Sequence, residues 1–525
     1  KCSIQQYRRG HQGVRDMEDV KEIKRVLIAN RGEIARRIIK TCRKMDIVTI
    51  AVYADSDEES PFVSEADVAF NLEGETSLET YLNKKKILEA CKKTEADSVH
   101  PGYGFLSENQ EFAHLITSNG LNWIGPSPMI IQAMGDKLSA KDIMEKAGVP
   151  ILPSIEIKPE TNIDAAAKTI GYPVLVKASA GGGGKGMRVV ESPDTLAAAI
   201  ESAQREAKNA FGDEKVFLEK WLESVRHVEV QIVGDKHGNI VHCFERECSI
   251  QRRHQKIIEE SPCPIMTREL RQAMGSAAVE AARAVKYVGA GTVEFLLDGN
   301  GDFFFLEMNT RLQVEHPVTE LVTGFDLVQW QIRVAQGEPL PATQEAVSLN
   351  GHAIEVRLCA EDATAGFLPS SGSISLFEFP QGDGLRVDTG FETGDFVSPF
   401  YDSLLGKIIA WGETREVARL RLYSALRGAV LFGVAHNREF LIRLLTDPLF
   451  VNGAVTTDYI DRHFSAGFTS DTATNTEIAA AIALQQIISA KHYLNMGASI
   501  SAELLGWVST GATSVRYRFE IDGDE

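Results

Sequence analysis

The 525 residues are 44% hydrophobic and 24% charged, an ordinary composition for a chain with several packed cores, and the formal net charge is −18. That charge argues against nucleic acid or an anionic membrane surface as the main partner, while local basic runs stay suited to small anions. Seven cysteines without a C-x-x-C pair suggest neither a disulfide framework nor a structural zinc, and so a reducing compartment; no apolar run reaches the roughly 18 residues that a membrane-crossing helix needs.

The first sixteen residues, KCSIQQYRRGHQGVRD, hold no acid before Asp16 and weakly resemble a transit remnant or added sequence ahead of Met17, so 1–22 is set aside as an extension. RVLIA (25–29) reads as a strand, NRGE starts a helix with Ile34, Ile38, Cys42 and Met45 at helical spacing, and IVTIAVY (47–53) is a second strand. This βαβ unit lacks G-x-G-x-x-G, so its Asn30-Arg31-Gly32-Glu33 turn reads better as a plain βα turn than as a dinucleotide site. Gly/Pro loops at 100–109 and 123–128 place the end of the first subdomain, 23–125, near there. A linker, 126–150, follows; it contains a polar-faced helix over 137–147 stopped by Gly148-Val149-Pro150.

The next segment, 151–221, contains VLVKASAGGGGKGMRVV (174–190), in which Gly186 follows Lys185 where a P-loop needs Ser or Thr. What remains is a hairpin with strands at 174–179 and 187–190 and a tip of Gly181, Gly182, Gly183 and Gly184. Its free N–H groups suit a cover over phosphate oxygens, or the tip is merely flexible. Helical 193–209 and strand VFLEKW (216–221) complete a lid. Beyond it, 222–466 holds strands RHVEVQIVG and NIVHCFERE and a helix over 267–287. After the polar TSDTATNT, a capping box from Thr474 to Glu477 starts a helix, and VRYRFEID (515–522) alternates as a strand. The segment 467–525 is thus expected to begin a small β-rich domain whose strand ends at Glu525, as if the native polypeptide continued.

Chemistry concentrates in three runs. In VEFLLDGNGDFFFLEMN (293–309), Asn300-Gly301 signals a two-residue hairpin. Pairing about that turn sets Glu294 opposite Glu307, their Cβ atoms roughly 4.5–5.5 Å apart. Asn309 adds an oxygen on the same face, a donor set suited to magnesium with a nucleotide. In TRLQVEHPVTE, Glu315 follows Arg311, and an acid beside a fixed guanidinium serves as a general base while the arginine orients an anion, or the two form an ordinary ion pair. In ERECSIQRRHQKIIEESP (245–262) the cations His254 and Lys256 suit an anion site, although for any single residue a solvated charged strand is the plainer reading. Glu219 and Lys220 offer an acceptor and a donor to a purine edge, and Lys137 and Lys177 suit phosphate; metal, glycine cover and lysines together describe phosphoryl transfer.

Taken in order, MGDK, KASAGGGGKGM, EKW, RHVEVQ, ERECSIQRRHQKIIEESP, EFL…EMNTRLQVEHPVTE and GHAIEVRLCAED resemble the ATP-grasp biotin carboxylase family over about residues 23–466. The resemblance implies an α/β ATP-grasp fold with an N-terminal Rossmann-like subdomain, a mobile lid and a C-terminal α+β subdomain. It implies that Lys137, Lys177, Met187, Glu219, Lys220, His227, Gln251 and His254 contact ATP beneath the 181–184 glycines, and that Glu294, Glu307 and Asn309 hold Mg²⁺ or Mn²⁺. Bicarbonate falls to Lys256, Arg311, Gln313 and Val314. Glu315 would deprotonate it for attack on the γ-phosphate, giving carboxyphosphate and then CO₂, with phosphate taking the biotin N1′ proton and Arg311 and Arg357 stabilising the enolate. The family's Ala-Met-Lys-Met biotin site is absent from the chain. The extra C-terminal segment is similar to α subunits of acyl-CoA carboxylases, which implies a separate biotin carrier domain, a carboxyltransferase (β) subunit as partner, and an oligomeric assembly in the cytoplasm or the mitochondrial matrix.

Overall fold

The computed structural model describes residues 21–179, 187–465 and 467–469, with 476, 479–484, 487 and 488 beyond. Two compact units divide the chain, Lys1–Gly467 and Phe468–Glu525. In the second, 476, 479–484, 487 and 488 are helical, within the helix expected after Thr474. The expected strand 515–522, the glycines 181–184 and the N-terminal extension up to residue 20 lie outside the described residues.

The first unit opens with β1 (Arg25–Ile28), β2 (Val48–Tyr53), β3 (Val68–Asn71), β4 (Ser98–His100) and β5 (Asn122–Trp123), a parallel sheet in the order β3-β2-β1-β4-β5. That order is the doubly wound arrangement expected of a βαβ start. The helix Gly32–Lys44 buries Ile34, Ile38 and Cys42, the periodic positions, against this sheet. Arg31 at its N-cap pairs with Asp57 at 2.6 Å, and Glu33 turns inward to Lys407 at 3.0 Å, so the NRGE turn is closed by its own chain.

Residues 126–150, expected as a linker, form two helices, Pro128–Gly135 and Lys137–Lys146. Ile130, Met134, Ala140 and Met144 are buried in one cluster with Phe295, Phe305 and Met308, so the segment belongs to a core. The lid follows as β6 (Ser154–Ile157), β7 (Val174–Ala178), β8 (Arg188–Val190) and β9 (Val216–Lys220), antiparallel in the order β6-β9-β7-β8, with helices Ile163–Ile170 and Leu196–Phe211 sharing its core. Val174 pairs with Val190 across the base of the glycine hairpin.

The largest sheet takes β10 (Arg226–Gly234), β11 (Ile240–Arg252), β12 (Gln255–Ser261), β13 (Gly289–Leu297), β14 (Phe303–Asn309), β15 (His352–Cys359), β16 (Leu385–Thr389) and β17 (Leu404–Gly412) in the order β14-β13-β10-β11-β12-β15-β17-β16. The helix His316–Thr323 packs across β11, β12, β15 and β17. Its N-cap residue is Glu315, which sets that carboxylate at the positive end of the helix.

The β13–β14 hairpin corrects the turn and keeps the pairing. Asp298 and Asp302 close a three-residue loop, Gly299-Asn300-Gly301, with Gly301 at φ +91°, the left-handed conformation such loops reserve for glycine. Leu297 therefore pairs with Phe303, one position off the two-residue count, and a bulge between Glu294 and Phe295 restores Glu294 to Glu307 and Thr292 to Asn309. Two register shifts cancel, and the carboxylates stand opposed as expected.

Candidate active site

A cleft of about 700 Å³ lies between the lid sheet and the large sheet. Lys137, Lys177, Met187, Glu219, Lys220, His227, Gln251, His254, Lys256, Glu294, Glu307, Asn309, Arg311, Gln313, Val314, Glu315 and Arg357 all line it. They come from eight strands, the connections between them and the starts of two helices, so the tertiary fold alone brings them together.

The cleft floor is built on neighbouring positions of β10, β13 and β14, where Glu229 pairs with Glu294 and Glu294 with Glu307. Glu294 is buried and fully engaged. Its Oε1 accepts from Asn309 Nδ2 at 2.8 Å and Gln313 Nε2 at 3.0 Å, and lies 2.8 Å from Lys256 Nζ, while Oε2 is 2.7 Å from His227 Nε2. Burial alone would raise its pKa; Lys256 and His227 overcome that and hold it well below the usual carboxylate range. Gln251 Nε2 reaches His227 Nδ1 at 2.7 Å, so the ring proton belongs on Nε2, facing Glu294. Glu307 is a third exposed to the cleft, with Lys137 Nζ 3.4 Å away. Glu294, Glu307 and Asn309 stand at alternate paired positions of the β13–β14 hairpin and line the cleft, a set of oxygen donors that fits a hard divalent cation, which would compete with Lys256 at Glu294 and with Arg311 at Asn309.

Lys256 is the hub of the second half. Its ammonium reaches Glu315 at 2.6 Å, Glu294 at 2.8 Å, Gln313 Oε1 at 3.2 Å, and Glu229. Glu315 completes its own coordination with Arg357 Nη2 at 3.0 Å. Burial would push Glu315 up, but Lys256, then Arg357 and Arg246, drive it far below the ordinary range, so it is ionised at any physiological pH. Arg311, expected beside Glu315, instead donates to Glu108 at 3.0 Å and to Asn309 Oδ1 at 3.1 Å. The cations on Glu315 are Lys256 and Arg357, because strand pairing brings them in from elsewhere in the chain. The Val314 carbonyl accepts from Lys407 Nζ at 2.7 Å, fixing the peptide that leads into Glu315.

At the lid end, Glu219 and Lys220 do not act as one donor–acceptor edge, since adjacent strand residues face opposite ways. Glu219 is buried against Lys177 at 3.0 Å and Lys141, whereas Lys220 donates to the carbonyls of Gly171 at 2.9 Å and Tyr172 at 3.3 Å. The charged run at 245–247 is likewise buried rather than solvated: Arg246, with no exposure, binds Glu229, Gln231, Thr319 and Thr292. His254 stands in a two-residue turn with Arg253, both in the left-handed region at φ +65° and +50°, a strained geometry that the sequence does not advertise with Asn or Gly and that commonly marks a functional loop. Lys141, Glu229, Glu259 and Glu108 carry no motif that marks them out in the sequence, and only its partner makes each part of the site.

Three family models match the chain: "Biotin carboxylase, N-terminal domain" over 22–131, "Carbamoyl-phosphate synthase L chain, ATP binding domain" over 136–343, and "Biotin carboxylase C-terminal domain" over 355–462. The chain is 49% identical to the mitochondrial methylcrotonoyl-CoA carboxylase subunit alpha of Dictyostelium discoideum, matching over 85% of this chain and 64% of that protein; it thus spans under two thirds of that relative's length. It is 49% identical to the biotin carboxylase of a Nostoc species, over 83% of this chain and 98% of the relative. A crystal structure titled as a biotin carboxylase complex with β,γ-ATP from Campylobacter jejuni superposes with a TM-score of 0.82 at 44% identity, over 84% of this chain and 99% of that one. The biotin carboxylase domain of Hydrogenobacter thermophilus 2-oxoglutarate carboxylase, titled as a complex with MgADP and bicarbonate, gives 0.83 at 44%, over 86% and 100%. The chain belongs to the biotin carboxylase family, built on the ATP-grasp fold.

Proposed function

We propose that this chain carboxylates biotin with ATP and bicarbonate. The observation that carries the reading is the chain of charges across the cleft floor, in which Lys256 joins the opposed Glu294–Glu307 pair to Glu315 and Arg357. That arrangement supports a divalent cation at the carboxylate pair and an anion at Lys256, next to the ionised Glu315. The bound ligands in the titles of the Campylobacter and Hydrogenobacter structures support ATP and bicarbonate for the two halves of the cleft.

In this reading Lys137 and Lys177 meet the phosphates, and Glu219, Lys220, His227, Gln251, His254 and Met187 line the nucleotide end. Glu294, Glu307 and Asn309 would hold Mg²⁺, which supplies neutralisation of phosphate charge. Lys256, Arg311, Gln313 and Val314 take bicarbonate. Glu315 is a weak base while both its cations stay bound; an arriving anion that draws Lys256 and Arg357 toward itself restores its basicity and lets it accept the bicarbonate proton. The attack on the γ-phosphate then gives carboxyphosphate, which yields CO₂ and phosphate. The phosphate removes the biotin N1′ proton, and Arg357 with Arg311 balances the enolate charge as it attacks CO₂.

The methylcrotonoyl-CoA carboxylase alpha relatives support a role as the α subunit of an acyl-CoA carboxylase, with a biotin carrier domain and a carboxyltransferase subunit as partners in an oligomer. The six described cysteines are free thiols, in keeping with a reducing compartment; we place the chain in the cytoplasm, with the mitochondrial matrix as the alternative, in keeping with the word mitochondrial in the names of those relatives. Among the described residues no helix is long and apolar enough to cross a membrane. Phosphate release from ATP, measured without bicarbonate, with bicarbonate, and with bicarbonate plus free biotin, tests the reaction. Release must depend on bicarbonate and rise with biotin; ATP turnover indifferent to both refutes it.

A further inference from the structure

Glu259 of β12 and Glu355 of β15 face each other directly across an antiparallel ladder, and both have 0% exposure. One oxygen of Glu259 accepts from Arg357 Nε at 2.6 Å. Its other oxygen, and both oxygens of Glu355, have no hydrogen-bond partner among the described residues. The lysine on the adjacent strand, Lys407, is committed to Glu33 at 3.0 Å and the Val314 carbonyl at 2.7 Å. Arg357 divides itself between Glu259 and Glu315, and Lys256 is spent on Glu229, Glu294 and Glu315. Among the described residues no cation pairs with Glu355.

A fully buried carboxylate without a partner is too costly to persist and takes up a proton instead. An opposed carboxylate with one free oxygen is the natural acceptor for that proton's hydrogen bond. We propose that Glu355 is a protonated positioning residue that donates its O–H to the free oxygen of Glu259, keeping Glu259 ionised and aimed so that it fixes Arg357 against Glu315. Burial pushes Glu355 well above the usual carboxylate range, with Glu259 and Glu315 adding to the effect and Lys407 and Arg357 opposing it. Burial also lifts Glu259, to about 7, against the pull of Arg357 and Lys256 and with Glu315 adding to it. The geometry puts the proton on Glu355, whose two oxygens have no partner among the described residues, rather than on Glu259, which Arg357 holds. The importance of Arg357's placement rests on the function proposed above; the location of the proton does not.

Infrared spectra of the whole chain at pH 7.5 provide the first arm, read at the C=O stretch of protonated carboxyl groups, which is separate from the carboxylate bands and shifts in D₂O. The wild-type minus Glu355→Gln difference is expected to show a lost protonated-carboxyl band. No such band in the difference overturns the proposal, because Glu355 is then ionised and solvated by buried water. The second arm compares biotin-dependent ATP turnover. Glu355→Gln, a neutral donor of the same shape, is expected to keep kcat within about twofold, while Glu355→Leu, which cannot donate, loses about tenfold or more in kcat with the KM for ATP unchanged. Both variants melting near wild type would separate this from unfolding. Equal activity in the Gln and Leu variants refutes the positioning role. A chain that fails to carboxylate biotin at all defeats the functional reading, and the infrared arm still decides where the proton is.

Discussion

Replacing Lys256 by Met keeps the length of the side chain and removes the one ammonium shared by Glu229, Glu294 and Glu315. These carboxylates are 0–4% exposed, and breaking a buried charge pair by removing one partner costs about 3–5 kcal/mol. For the Lys1–Gly467 unit, melting as one body, the unfolding entropy is roughly 1 kcal/mol per kelvin, so Tm should fall by about 3–5 °C. The pH dependence carries the sign. Glu294 and Glu315 have folded pKa values depressed below the unfolded value of about 4.5, so in the wild type their contribution is present above that value and is lost as pH falls through the folded ones. Without Lys256, burial dominates and the carboxyls are neutralised more readily, so the Tm gap between wild type and Lys256→Met should be widest near pH 8 and shrink toward pH 5. Differential scanning calorimetry at several pH values measures it, with bicarbonate-dependent ATP turnover as the parallel readout, expected to drop by about 10²-fold or more. A gap under about 1 °C at pH 8, or one that widens as the pH falls, refutes the hub assigned to Lys256.

Glu315→Gln should remove bicarbonate-dependent phosphate release by about 10²–10⁴-fold while equilibrium ATP binding stays near wild type, and turnover within a few-fold of wild type would end its assignment as the base. Glu294→Gln and Glu307→Gln should both raise the magnesium concentration needed for turnover. They should differ in stability: the first takes a buried ionic partner from Lys256 and His227 and lowers Tm by a few degrees, whereas the second loses only a 3.4 Å contact at a third-exposed group and leaves Tm within about 1 °C. Glu108→Gln releases Arg311 from a pair whose acid is 43% exposed. Since such pairs are worth about 0.2–1 kcal/mol, apparent bicarbonate affinity should tighten by no more than about fivefold, and a larger change would show that Glu108 does more than hold Arg311.

The local order of this chain is written in its sequence. Ile34, Ile38 and Cys42 repeat at helical spacing and are buried together, the strands flanking the glycine run pair from Val174 to Val190, and the motif runs carry most of the residues that line the cleft. Glu294 opposite Glu307 was reached by counting from a two-residue turn, although the chain makes a three-residue loop and then a bulge; the count succeeds because the two shifts cancel, and counting alone could not reveal that. Which cation neutralises which acid is decided only by the fold. Arg311 is four residues from Glu315 yet bonds Glu108, while Glu315 bonds Lys256 and Arg357, 59 and 42 positions away. The reason is geometric: strand alternation and bulges decide which way each charge points, and pairing of distant strands decides what it meets, so Arg246, whose run reads as a solvated charged strand, ends with no exposure at all, as does Glu355.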